Sequence, residues 1–261
     1  MNDGPLPKFP KPPKLVPRAA PPPPPPWARD GENLLKSVPG RVRAALTGGI
    51  ASGKSSLAGF LVDRGAGLAD FDVLSREALA VDTPGYREAV KLFGKKALNK
   101  EDSTLDRAYL RKLVFKKPKL KKALENIVHP KAWEMMLGAL SAAKDEKLFV
   151  IDVPLLFEAR LNSLFFPTIL VFADAETQIR RVLARDPGTT ENEARAIIEN
   201  QWPAAEKLRL ADMVVRNDGS GDLARLKEEA GKLHEKLLSP DFPKNLLPQG
   251  PNRAPDPNRL N

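Results

Sequence analysis

Residues 48–55 read Gly-Gly-Ile-Ala-Ser-Gly-Lys-Ser. The pattern is a glycine, four residues, then Gly-Lys-Ser, with every fixed position filled. It constrains the fold because it works in only one setting. A strand must enter the loop and a helix must leave it. Both are legible: Arg41–Thr47 reads as the strand, and Leu57, Phe60 and Leu61, spaced i, i+3, i+4, read as the buried face of the helix. In that setting the backbone amides from Gly49 through Ile50, Ala51, Ser52, Gly53 and Lys54 to Ser55 can curl around a phosphate chain. The Lys54 ammonium can reach the β and γ oxygens, and the Ser55 hydroxyl can hold Mg²⁺.

Proline divides the chain. Of 26 prolines, 13 lie in residues 1–39 and 6 in residues 240–257, which leaves 7 for the middle. Residues 40–238 are therefore expected to fold, and residues 1–39 and 239–261 to be proline-rich, disordered tails. Pro21–Pro26 favour polyproline II and offer a docking segment for a polyproline-binding partner. The net charge of +9 falls to +5 in the middle, where 33 basic side chains face 28 acidic ones. That balance suits polyanionic small molecules better than nucleic acid. The chain has no cysteine and 2 histidines, which excludes thiolate nucleophiles, zinc-thiolate sites and a multi-histidine metal centre. A cytoplasmic protein is expected. The most apolar stretch, residues 148–173, is interrupted by Asp152, Pro154, Glu158, Arg160 and Pro167 and cannot span a membrane.

Along the middle, Ala66–Asp72 reads as a second strand ending in two acids, followed by a helix over 73–81. Residues 86–147 read as almost wholly helical, broken at Pro84, Pro118 and Pro130. Leu148–Pro154 and Thr168–Ala173 read as buried strands, Thr177–Arg185 as a helix, and Thr190 with Glu193 as the capping box of the next. Asp212–Asn217 is the last strand and residues 222–238 the last helix. Strands alternating with helices predict an α/β fold, a parallel five-stranded sheet flanked by helices.

Two strings suggest a GTPase. Asp82-Thr-Pro-Gly85 fits Asp-x-x-Gly, and Asn99-Lys-Glu-Asp102 fits Asn-Lys-x-Asp. Both should follow buried strands and meet the nucleotide at the sheet edge. Here each follows a helical pattern, and too few residues separate them for the intervening helix and strand.

Phosphoryl transfer needs Mg²⁺, cations around the moving phosphoryl, and a carboxylate at the acceptor hydroxyl. Asp72 is expected at the end of the strand beside the loop strand, where ligands bind in open parallel sheets, with Asp70 on the same side. Arg181 and Arg185 share a helix face and, with Arg180, form a cationic cluster before Pro187-Gly188, as in a lid closing over phosphates. Residues 111–131 hold eight Lys or Arg side chains, most of them a solvated face.

Taken in order, the signatures resemble the dephospho-CoA kinase family: Leu46–Ser56; Asp70-Phe-Asp72 with Ser75-Arg76-Glu77; Thr83-Pro-Gly85; Phe93-Gly94; Leu105-Asp-Arg107 with Leu110-Arg111; His129-Pro130; Val153–Glu158; Arg185-Asp186; Gln201-Trp-Pro with Lys207; and Ala211-Asp212 leading to Asn217-Asp-Gly219. The resemblance implies ATP-dependent phosphorylation of the ribose 3′-hydroxyl of dephospho-CoA, the last step of coenzyme A biosynthesis. It implies ATP and Mg²⁺ as cofactors, a helical CoA-binding insertion over about 76–147, and a helical lid over about 176–205. It also implies Asp72, Lys54 and Arg185 as catalytic residues. Ser56 and Asn217 join the ATP site, and Asp70, Arg107, Arg111, His129 and Glu158 surround the acceptor. A monomer is expected. The rival readings are another small-molecule kinase, such as a nucleoside or nucleotide kinase, and an interaction protein using its proline-rich arm.

Overall fold

The computed structural model describes residues 24–28, 35, 41–143, 145–219 and 223–242. A 3₁₀ turn at Pro26–Ala28 precedes β1 (Val42–Gly48), α1 (Lys54–Val62), β2 (Gly67–Asp70), α2 (Phe71–Glu77), α3 (Pro84–Phe93), α4 (Arg107–Lys116) and α5 (Pro118–Ala142). Then come β3 (Leu148–Asp152), β4 (Thr168–Phe172), α6 (Ala175–Arg185), α7 (Glu191–Glu199), α8 (Ala204–Leu210), β5 (Met213–Arg216) and α9 (Leu223–Leu238).

Among the described residues the strands form one sheet in the order β2-β3-β1-β4-β5. Every pairing is parallel. Side chains alternate across it, as the pleat requires. Ala45, Phe149, Ile151 and Leu170 enter one core with α5 and the Phe71 ring. Ala44, Leu46, Leu148, Val150, Ile169 and Val171 enter the other, with α1 and α9. Because β1 is central and both its faces are covered, the loop that leaves it is held from two sides.

The insertion has a small core of its own. Ala89, Ala97, Leu105 and Leu110 are buried together, with Tyr86, Phe93 and Leu124 packed around them. The two GTPase-like strings serve here as turns. Thr83 caps α3 by accepting from the Tyr86 amide, and Pro84 fills the first helical position. Asn99 closes a loop in which its amide meets the Thr104 carbonyl at 2.8 Å.

Three expectations need correction. β2 ends at Asp70, so Asp72 stands in the first turn of α2 and not at a strand end. Asp70 is the reason. Its Oδ1 accepts from the amides of Asp72 (2.8 Å) and Val73 (3.0 Å), which starts a helix at Phe71. Pro130 does not break α5. The lost hydrogen bond is outweighed by burial of Val128, Ala132, Trp133, Met136 and Leu140 along one side of that helix. Helix α8, unread in the sequence, is a short helix after Pro203.

The N-terminal segment also differs from expectation. Ala28 and Leu35 are fully buried, and Trp27 packs against α5, so these residues belong to the fold. Residues 1–23 and 243–261 lie outside the described residues, and with them most of both tails and Pro21–Pro23 of the expected polyproline docking segment; its last residue, Pro26, opens the 3₁₀ turn. No helix among the described residues is long and apolar enough to cross a membrane.

Candidate active site

The loop is shaped by bonds made on its outer side. Arg181 donates to the carbonyls of Ala51 (3.2 Å), Ser52 (3.4 Å) and Asn217 (2.9 Å). The Asn217 side-chain amide also donates to the Ser52 carbonyl at 2.8 Å. A planar peptide whose carbonyl is tied outward presents its N–H to the opposite side. The Gly53 amide is turned inward in this way. On the flank, the Ile50 amide donates to Gln201 Oε1 at 3.2 Å.

Ala51 has φ 53 and Gly53 φ 93, left-handed conformations that bend the chain tightly before α1. At Gly53 a Cβ would also collide with the Asn217 side chain, so only glycine fits. The Ser52 hydroxyl is buried and has no hydrogen-bond partner. An orphaned donor inside a loop that no side chain can fill suits an incoming phosphate oxygen.

Beyond the loop three carboxylates gather at the sheet edge. Asp70 and Asp152 are register partners on β2 and β3, and Asp72 follows one turn on. Lys54, from the first turn of α1, forms an ion pair with Asp152. Asp152 was not singled out in the sequence, although it obeys the rule that pointed to Asp72: it is an acid at the C-terminal end of a buried strand. Burial, offset only in part by Lys54, pushes the Asp152 carboxyl up to about 6. Burial first, and then the charge of Asp70, raise Asp72 above its ordinary range, while Lys54 and Arg76 pull it down.

The cationic cluster splits. Arg181 is committed to the loop carbonyls, Arg180 to the carbonyl of Gly219, and Arg185 to Asp186 at 2.7 Å. Arg185 remains well exposed, at the end of α6 where it can still move. Helices α6 and α7 share a small core in which Ile179, Val182 and Ala194 meet Ile50 and Ala51 of the loop.

On the other side, Arg107 lines a cleft of about 550 Å³ together with Val73, Arg76, Glu77 and Thr104. Arg111 lies one turn further along α4 and is exposed. The remaining two expected residues are engaged elsewhere. Glu158 pairs with the buried Lys207 at 2.8 Å and accepts from the Trp202 amide at 3.3 Å. His129 sits between rings, 5.4 Å from Trp27 and 6.1 Å from Phe71, centroid to centroid. Its burial lowers its pKa. A second cleft, of about 500 Å³, lies beside Gly49 and is bordered by Phe172, Gln178, Trp202 and Lys207.

The donor set fits Mg²⁺ as well as a nucleotide. One hydroxyl, Ser55, stands exposed at the start of α1, next in the chain to Lys54, which pairs with Asp152. A cation that keeps most of its waters needs little more from protein.

Comparison with known proteins gives a consistent result. A family model described as CoaE: Dephospho-CoA kinase matches residues 42–222. A curated dephospho-CoA kinase of Synechococcus sp. (strain CC9605) is 41% identical over 177 residues, 68% of this chain and 85% of that protein. One from Geobacillus kaustophilus is 39% identical over 182 residues, 69% of this chain and 90% of that protein. Among solved structures, TT1252 from Thermus thermophilus is 32% identical, with a TM-score of 0.65 over 76% of this chain and 98% of that one. The dephospho-CoA kinase from Campylobacter jejuni is 26% identical, with a TM-score of 0.56 over 74% of this chain and 96% of that one.

Proposed function

The chain belongs to the dephospho-CoA kinase family, and from that premise we propose how its own residues divide the work. The activity of the family is ATP-dependent phosphorylation of dephospho-CoA. In our assignment the γ-phosphoryl moves to the ribose 3′-hydroxyl, giving CoA and ADP. Gly49–Ser56 hold the ATP phosphates, and Asn217 shapes the loop from outside. Lys54 leaves Asp152 and follows the γ-phosphoryl as charge builds on it. Ser55 would hold Mg²⁺, which when bound neutralises charge on the β and γ phosphates.

Asp72 is the acceptor-side base. As the 3′-oxygen bonds to phosphorus, its proton passes to the Asp72 carboxylate and ADP departs with the electron pair of the broken bond. A carboxyl raised above its ordinary range accepts that proton more readily, provided it is ionised at the working pH. Arg107 and Arg111 meet the acceptor's phosphates from α4. Arg185 exchanges Asp186 for the γ-phosphoryl when the lid closes. Asp70 holds the α2 N-terminus and raises Asp72. Glu158 and His129 support the acceptor side from behind, Glu158 through Lys207 and His129 through Phe71.

The observation that carries these assignments is the convergence, at one sheet edge, of a phosphate-shaped loop, its lysine and the Asp72 carboxylate of raised pKa. We further hold that a single chain suffices, working in the cytoplasm without nucleic acid or membrane. Purified protein given ATP, Mg²⁺ and dephospho-CoA is expected to release ADP and form CoA. ADP release no faster than without acceptor would overturn the assignment. Faster turnover with nucleosides or nucleotides in the same assay would move it to another small-molecule kinase.

A further inference from the structure

Trp27 lies outside the matched region, yet it is built into the fold at a telling place. Its ring meets His129 at 5.4 Å and Trp133, edge on, at 5.8 Å. The His129 ring also meets the Phe71 ring at 6.1 Å, and Trp133 meets Phe165 at 6.1 Å. Ala28 beside it and Leu35 beyond it are both fully buried in the same core. Phe71 is the residue between Asp70 and Asp72, and it is the buried side chain of α2. The ring of Phe71 is therefore the anchor by which the Asp72 turn is held against α5.

We propose that Trp27 is a positioning residue for the kinase reaction. It closes an aromatic tier, Trp27–His129–Phe71, that fixes the α2 turn and so places the Asp72 carboxylate. Two features favour this over a passive cover. The tier is continuous from the N-terminal segment to the residue adjoining the base. Every layer of it is a flat ring, so tilt in one is passed to the next, whereas a layer of flexible aliphatic chains would absorb it. Burial of His129 lowers its pKa, so the same packing disfavours the charged ring. Glu125 and Lys122, from its own helix, oppose each other in their effect on it.

The inference rests on the assignment of Asp72, and the test separates the two. In the full-length protein, W27A is expected to lower kcat/KM for dephospho-CoA about tenfold, in the range for small displacements of a reacting group. The KM for ATP should stay within about twofold, because the loop is anchored elsewhere. W27F, which keeps a ring, should recover most of the loss, and W27L should not. The proton resonances of His129 should titrate at higher pH in W27A than in the wild type.

A W27A protein that melts earlier but keeps its kinetic constants would overturn the proposal and leave Trp27 a mere clamp. Equal rescue by W27L and W27F would also overturn it, since apolar cover alone would then suffice. If W27A does not fold, the comparison of W27L with W27F decides. If D72N retains turnover, the assignment of the base fails; if D72N is inactive and W27A is normal, only the present inference fails.

Discussion

Lys54 and Asp152 form an ion pair where the helix leaving the phosphate loop meets the end of β3, with Asp152 almost fully buried. The pair looks ideal, yet Asp152 stays well above the usual carboxylate range, at about 6. Desolvation wins over the lysine. The two observations agree once the lysine is seen as only partial compensation, as is usual for a buried pair. A lysine held by so reluctant a partner is readily surrendered to a phosphate.

The first prediction concerns stability and pH. Asp152 titrates near 3.8 in the unfolded chain and about 6 in the fold. The folded state therefore binds the extra proton between those values, and its stability falls as pH rises from about 4 to about 6. D152N should lose this slope. Urea denaturation of both proteins between about pH 4 and 8 measures it; an unchanged slope in D152N would assign the effect to other groups. K54M should be destabilised more at pH 8 than at pH 5, because only at the higher pH is a bare carboxylate left buried.

The second concerns the base. D72N should lower kcat by about 10²- to 10⁴-fold with little change in ATP affinity. The acidic limb of the wild-type pH–rate profile should lie above the ordinary carboxylate range, activity falling as Asp72 is protonated. D70N should move that limb to lower pH, since it removes the like charge while asparagine still caps α2. A limb that stays put in D70N would separate it from Asp72.

The third separates two arginines of one helix. R181A removes three bonds to backbone carbonyls and should raise the KM for ATP, with a stability loss of about 1–3 kcal/mol. R185A removes only an exposed pair with Asp186 and should leave the melting temperature unchanged. Its cost should appear in kcat, about 10³-fold if the lid delivers it to the γ-phosphoryl. Thermal melts beside initial rates would check both, and a normal kcat in R185A would remove it from the machinery.

The fourth concerns Glu158 and Lys207. Lys207 is 3% exposed, so E158A strands a buried cation and should cost about 3–5 kcal/mol in chemical denaturation. The double variant E158A/K207M should recover part of this. Additive losses would mean that the pair is not coupled.

The loop, the five strands and most helix limits were legible because periodicity and caps are local; the expected pairing of the Asp72 strand with the loop strand was not, since β3 lies between β2 and β1 and sheet order is set by contacts remote in sequence. The capping box of Thr190 and Glu193 forms as its residues predict. Asp152 escaped notice because its significance comes from Asp70 and Lys54, both remote in sequence. The Asp72 turn was misread as strand because a single carboxylate, Asp70, decides where β2 stops. Pro130 was misread because propensity is local and the burial that overrides it is not. Trp27 was lost behind six prolines, since composition speaks for a segment and not for one ring within it.

The shared core of α6 and α7 has only three buried side chains, and two residues of the phosphate loop complete it. A unit so small has a low free energy of local opening, and its amides should exchange with solvent long before those of the sheet. Ile50 and Ala51 are structural members of that unit as well as of the loop. Whatever free energy a nucleotide contributes by ordering them must appear as slower exchange in α7, and, by reciprocity, a cross-link that holds α7 down must tighten nucleotide binding by the same factor.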